Sequence, residues 1–146
     1  MNIRSLCDEK PATVPAGATT AQAIQTMLDQ SVGAVVIVDA EGKVAGIFTE
    51  RDVLRKLALS GHDPKQVPVR ELMTTSVKLA AQEMTPGEAL AEMVGHHVRH
   101  LPIVDASGKL LGVLSIRNLL QAQVDELAHE LDSVEQYLSN DGPGGD

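Results

Sequence analysis

A chain of 146 residues with 43% apolar content is long enough for one ordinary core, or for two half-size units that share one. A net charge of −8, with no cluster of Lys or Arg and only Phe48 and Tyr137 as aromatics, argues against a nucleic-acid surface. No apolar stretch of signal-peptide length opens the chain and no run approaches the ~18 apolar residues of a membrane span, so a cytoplasmic protein that does not enter membranes is expected.

Taken in chain order, ATV (12–14) is the first short apolar piece and predicts a strand. Thr19 then stands where a helix cap would, ahead of Ala21, Ile24, Met27 and Leu28 at helical spacing. The β-branched run AVVIV (34–38) predicts a buried strand, and Asp39-Ala40-Glu41-Gly42 supplies turn chemistry before a second strand, VAGIFT (44–49). A helix is expected to begin near Glu50. Gly46 sits inside its strand, where a missing side chain often marks the close approach of another backbone or a ligand.

The same sequence of elements then returns. SVKLA (76–80) predicts a strand, followed by a helix through Ala89, Leu90, Met93 and Val94, strands LPIV (101–104) and LLGVLS (110–115), and a helix from Ile116. Residues 32–57 match residues 98–123 without a gap at an offset of 66, sharing the frame I-V-D-A-x-G-K-x-x-G. Two copies are too few for a solenoid but suit a pseudo-twofold pair. Each reads β-α-β-β-α, giving an α+β fold with repeats at 5–62 and 67–123, a helical extension at 124–139 and a disordered tail at 140–146.

G-x-x-[ST]-x-x-D at the last strand-to-helix junction, together with R-H-L-P-I-V-D, resembles a tandem pair of cystathionine-beta-synthase (CBS) domains. The resemblance implies two sheets packed as one module, with two clefts between the repeats that in this family often bind adenosine-containing ligands. It implies a regulatory ligand rather than an obligatory cofactor: AMP, ADP or ATP, with S-adenosylmethionine as a further candidate. It also implies a homodimer in which four repeats form a flat disc.

Thr49-Glu50-Arg51-Asp52 opens a helix, whose free N–H groups favour a phosphate, while a carboxylate can accept both hydroxyls of a ribose. By resemblance, Asp52 would hold ribose and Thr49 ribose or phosphate, with Val77 and Lys78 near adenine and Arg99 and His100 near the phosphates. Thr-x-x-Asp is equally a capping box that needs no ligand. The second cleft would use Pro11, Ala12, Gly33, Ala34, Ser115 and Asn118. There the acid is replaced by Asn118, and Gly33 and Ala34 stand where the other copy has Arg99 and His100, so unequal clefts are expected.

His96, His97 and His100 do not make a metal site, because the helix should already be turning into strand between Val98 and Leu101. Cys7, the single cysteine, excludes an intramolecular disulfide and reads as a structural thiol. No P-loop, His-Glu-x-x-His or Gly-x-Ser-x-Gly motif is present, and the chain reads as a binding module rather than an enzyme. The alternative is an interaction module whose clefts bind nothing. Leu120, Val124, Leu127, Leu131, Val134 and Leu138 form a 4-3-4-3-4 seam flanked by Asp125, Glu126, Glu130, Asp132 and Glu135. It needs a cover: its own module, a second subunit, or a basic partner protein.

Overall fold

A computed structural model describes residues 2–8 and 10–141. Each repeat folds into a three-stranded sheet flanked by helices. In the first, β1 (Thr13–Pro15) pairs parallel with β2 (Ala34–Val38), which pairs antiparallel with β3 (Val44–Thr49). In the second, β4 (Ala80–Ala81), β5 (His100–Val104) and β6 (Leu110–Ser115) repeat that order and those directions. Helices α1 (Thr20–Gln30) and α3 (Pro86–His96) occupy equivalent places, 66 residues apart.

Local chemistry sets these boundaries. Thr19 accepts from the Gln22 backbone N–H while the Gln22 side chain accepts from the Thr19 N–H, a reciprocal cap on α1; Thr85 caps α3 through the Glu88 N–H. Both helices end on a left-handed residue, Ser31 (φ 53°) and His97 (φ 54°). Gly42 and Gly108, at φ 81° and 92°, close the two hairpin turns.

The repeats are joined by exchange of their leading segments. Thr74, just ahead of the second repeat's first strand, pairs antiparallel with Ile47 of the first repeat; Asp8, ahead of the first repeat's first strand, pairs with Val113 of the second. The cores follow the same exchange. Val67, Val69 and Leu72 are buried with Ala23, Met27, Val35, Ile37 and Phe48, whereas Ile3 is buried with Ala89, Met93, Leu101, Ile103 and Leu114. Removing either leader would therefore uncover apolar surface in the opposite repeat.

This exchange explains a difference from the sequence expectation. SVKLA (76–80) does not form a strand over its length; β4 is only Ala80–Ala81. The chain leaves its pairing on β3 at Thr74 and has to cross to β5 before it can pair again, so the intervening residues are irregular. The glycines inside the strands permit the crossing. A Cβ on Gly112 would stand 2.6 Å from the Asp8 carbonyl oxygen, and one on Gly46 would stand 2.9 Å from that of Thr74.

The helix from Ile116 is one uninterrupted element, α4 (Ile116–Asp141), so the extension at 124–139 continues the second repeat's last helix. Of the expected tail, residues 140 and 141 lie in α4, and residues 142–146 lie outside the described residues. Leu119 is fully buried, but the seam beyond it is uncovered by its own module: Leu120 is 47% exposed and Leu131 64%. No helix among the described residues is long and apolar enough to cross a membrane.

Candidate functional site

The junction between β3 and the next helix, α2 (Glu50–Asp52, continuing as a π-helical turn over Val53–Leu57), gathers the polar groups of interest. Asp52 is one of two buried polar residues among those described, with only 7% of its surface exposed. Its Oδ2 accepts from the Thr49 N–H at 3.0 Å and the Thr49 hydroxyl at 3.3 Å, while the Asp52 N–H donates to Thr49 Oγ1 at 3.2 Å. The capping box expected for Thr-x-x-Asp is thus fully formed.

The other carboxylate oxygen faces the exchanged segment. Asp52 Oδ1 accepts from the Thr74 hydroxyl at 3.3 Å and pairs with Lys56 Nζ at 3.3 Å, and Lys56 also donates to Thr74 Oγ1 at 3.2 Å. One buried acid therefore holds a strand end of one repeat and the leader of the other. These three Oδ1-side contacts are long for charge-assisted bonds, and Lys56 keeps 38% of its side chain exposed. Lys56, which the sequence reading does not name, was signalled by its i,i+4 spacing from Asp52. Thr74 was not, because nothing local in the sequence reports a pairing with Ile47.

His100 and Glu50 meet across the repeats. A Cβ added to Gly33 would lie 3.4 Å from Glu50 Oε2 and 3.6 Å from His100 Cε1, which places these residues together although sequence reasoning assigned Gly33 and His100 to different clefts. Arg51 also crosses between the repeats, donating from Nη1 to the His97 carbonyl at 2.9 Å. Arg99 is exposed, and its carbonyl accepts from the Ile116 N–H, as the Gly33 carbonyl accepts from that of Glu50. Val77 is half-buried and Lys78 exposed in the irregular stretch after Thr74; among the described residues neither has a hydrogen bond to Thr49 or Asp52. The space at Gly46, read as room for a ligand or a backbone, is filled by Met73 and the Thr74 backbone.

The pseudo-equivalent junction differs. The Asn118 N–H donates to Ser115 Oγ at 3.1 Å, but the Asn118 side chain is exposed where that of Asp52 is buried. Pro11 is half-buried; Ala12 is buried and accepts from the Val36 N–H, and Ala34 is buried at the start of β2. Elsewhere His96 pairs with Glu92 at 3.3 Å, and among the described residues no three His, Cys, Asp or Glu side chains are gathered around a common point.

Burial lowers the pKa of His100 below its ordinary 6.5; Glu50 opposes this and Arg99 reinforces it. The unfolded chain therefore takes up the proton first, so the contribution of neutral His100 to stability is complete above that ordinary value and is lost as pH falls toward the lower folded-state value. Thermal melts should show a smaller loss of Tm in His100→Gln than in the wild type between about pH 7.5 and about pH 5.5. Parallel losses in the two proteins would remove His100 as the responsible group.

Comparison with known proteins agrees with this architecture. The model of the CBS domain matches residues 3–59 and again 69–125. An uncharacterized 17.7 kDa protein of Acidianus ambivalens is 35% identical over 123 residues, 84% of this chain and 73% of that protein. The chain spans less of longer curated relatives, down to 19% of a meiotically up-regulated protein of Schizosaccharomyces pombe. A CBS-domain-containing protein of Agrobacterium tumefaciens superposes with a TM-score of 0.76 at 32% identity, over 84% of this chain and 99% of that one. The CBS domain pair of protein MJ0100 shares the fold, with a TM-score of 0.78 at 19% identity over 86% of this chain and 98% of its own. Two matched stretches, two like sheets and a repeated strand-to-helix junction make this chain a member of the CBS-domain family, with one CBS domain in each repeat.

Proposed function

We propose that this CBS pair is a regulatory module that binds an adenosine-containing ligand of the AMP, ADP or ATP class on its Asp52 side and signals by a change in the contact between repeats. The observation that carries the reading is the position of Asp52: a buried carboxylate at a helix start, touched at once by Thr49 of one repeat and Thr74 from the leader of the other. A ribose diol that took over Oδ1 would displace Thr74 and Lys56 while the Thr49 N–H held Oδ2. Lys56, released, could then meet a phosphate. Ligand binding would in this way exchange an inter-repeat contact for a ligand contact, which is the differential interaction that a population shift requires. The MJ0100 pair, solved in complex with 5'-methylthioadenosine and S-adenosyl-L-methionine, supports the capacity of this fold for such ligands.

One observation favours the ligand-free interaction module instead. Both Asp52 oxygens already have partners, and among the described residues no buried side-chain polar atom lacks one. The two readings separate on the small molecule that co-purifies with the protein. Its mass, read after gentle denaturation, is expected to be that of an adenosine compound. Protein that arrives empty, and then gives no heat with AMP, ATP, NADH or S-adenosylmethionine, would establish the interaction module.

A further inference from the structure

We infer that α4 is a self-association element, and that two copies of this chain pair through it as an antiparallel two-helix coil. The seam consists of Leu120, Val124, Leu127, Leu131, Val134 and Leu138, all between 47% and 64% exposed, although Leu119 just before it is fully buried. So much apolar surface in one stripe on an isolated helix calls for a partner with a matching stripe. This stripe matches itself. Leu-Val-Leu-Leu-Val-Leu at 4-3-4-3-4 spacing reads the same from either end, so a twofold, antiparallel partner sets Leu120 against Leu138, Val124 against Val134 and Leu127 against Leu131.

The charges choose the direction. In parallel register the flanking positions bring Glu130 against Glu135 of the other helix, and twofold symmetry makes that contact twice. In the antiparallel register Glu135 faces the amide of Gln121, Tyr137 faces Gln123, and Ala128 faces its own copy where the helices approach most closely. Only Glu130 meets a like charge, its own copy, once. Antiparallel packing also sets the helix dipoles head to tail. A basic partner helix could match the acids, but a self-matching order of six apolar residues is a requirement only of pairing with itself.

The test uses the full chain. Sedimentation is expected to show a dimer, with Leu127→Glu combined with Leu131→Glu weakening it at least about 100-fold and leaving the circular dichroism of the modules intact. Glu130→Gln, which removes the like-charge contact, should tighten the dimer by a few fold. A spin label on Ser139→Cys in a Cys7→Ser background reads direction. Antiparallel pairing separates the labelled sites by about 30 Å along the helix axis, whereas parallel pairing holds them one helix spacing apart, about 10 Å. A monomer at all concentrations, a short label distance, or a dimer insensitive to the α4 pair but broken by Leu28→Glu with Leu54→Glu would each overturn the inference; those two leucines are 67% and 73% exposed on the repeats themselves.

Discussion

Asp52→Ala is expected to abolish nucleotide binding, weakening it at least about 100-fold, because two charge-assisted hydrogen bonds to a ribose diol are lost together. Its effect on stability should be smaller. The variant keeps the Thr49 hydroxyl as cap and loses only the carboxylate half of the capping box, about 0.5–2 kcal/mol, while the Lys56 pair adds little, since that lysine is more than a third exposed and screened by water. Asp52→Asn separates charge from shape: an amide oxygen still accepts from the Thr49 N–H, and the residue becomes what the second repeat already has at Asn118. It should fold with nearly wild-type stability and bind about tenfold more weakly. Calorimetric titration beside thermal melts of the three proteins checks both parts. Equal binding by all three would remove Asp52 from the site.

Gly112→Ala is expected to be the most damaging small change, costing about 1–3 kcal/mol or more by overpacking. The added carbon would lie 2.6 Å from the Asp8 carbonyl oxygen and 2.6 Å from Cys7 Sγ, and the carbonyl belongs to the strand pairing that docks the N-terminal leader on the second repeat. Gly46→Ala should cost less. There the shortest contact, 2.5 Å, is to the flexible Met73 side chain, with the Thr74 carbonyl at 2.9 Å. Gly87→Ala, whose new carbon meets nothing within 4 Å, serves as the control. Denaturant unfolding of the three variants ranks them, and a Gly112→Ala protein as stable as Gly87→Ala would mean that the leader is not held as described.

The repeat made most of the fold legible. A shared frame at one fixed offset places both hairpins, both capped helices and both strand-to-helix junctions, since each is encoded by neighbours in sequence: Thr19 with Gln22, Asp39 with Gly42, Thr49 with Asp52. The exchange of leaders was not legible. Thr74 pairs with Ile47 across more than twenty residues, and Asp8 pairs with Val113 across more than a hundred, so no local period reports either. Gly46 and Gly112 carried the one available signal, but a missing side chain says only that something comes close. What comes close is the exchanged leader, Met73 and Thr74 at Gly46 and Cys7 and Asp8 at Gly112. For the same reason Lys78 and Val77, placed by resemblance, follow an irregular path that the strand expectation did not foresee, and the convergence of His100 and Glu50 beside Gly33 emerged only from the folded arrangement.

The difference between the two junctions was readable from single residues, Asp52 against Asn118, and the structure adds burial on one side and exposure on the other. Under the proposed function, that inequality is expected to give one ligand per chain, at the junction where the acid also holds the opposite repeat. Isothermal titration of the purified chain with AMP or ATP tests this most directly. One strong event per chain, absent in Asp52→Ala, is expected; two events of equal strength per chain, or a single event that survives that substitution, would rule out a single Asp52-centred site.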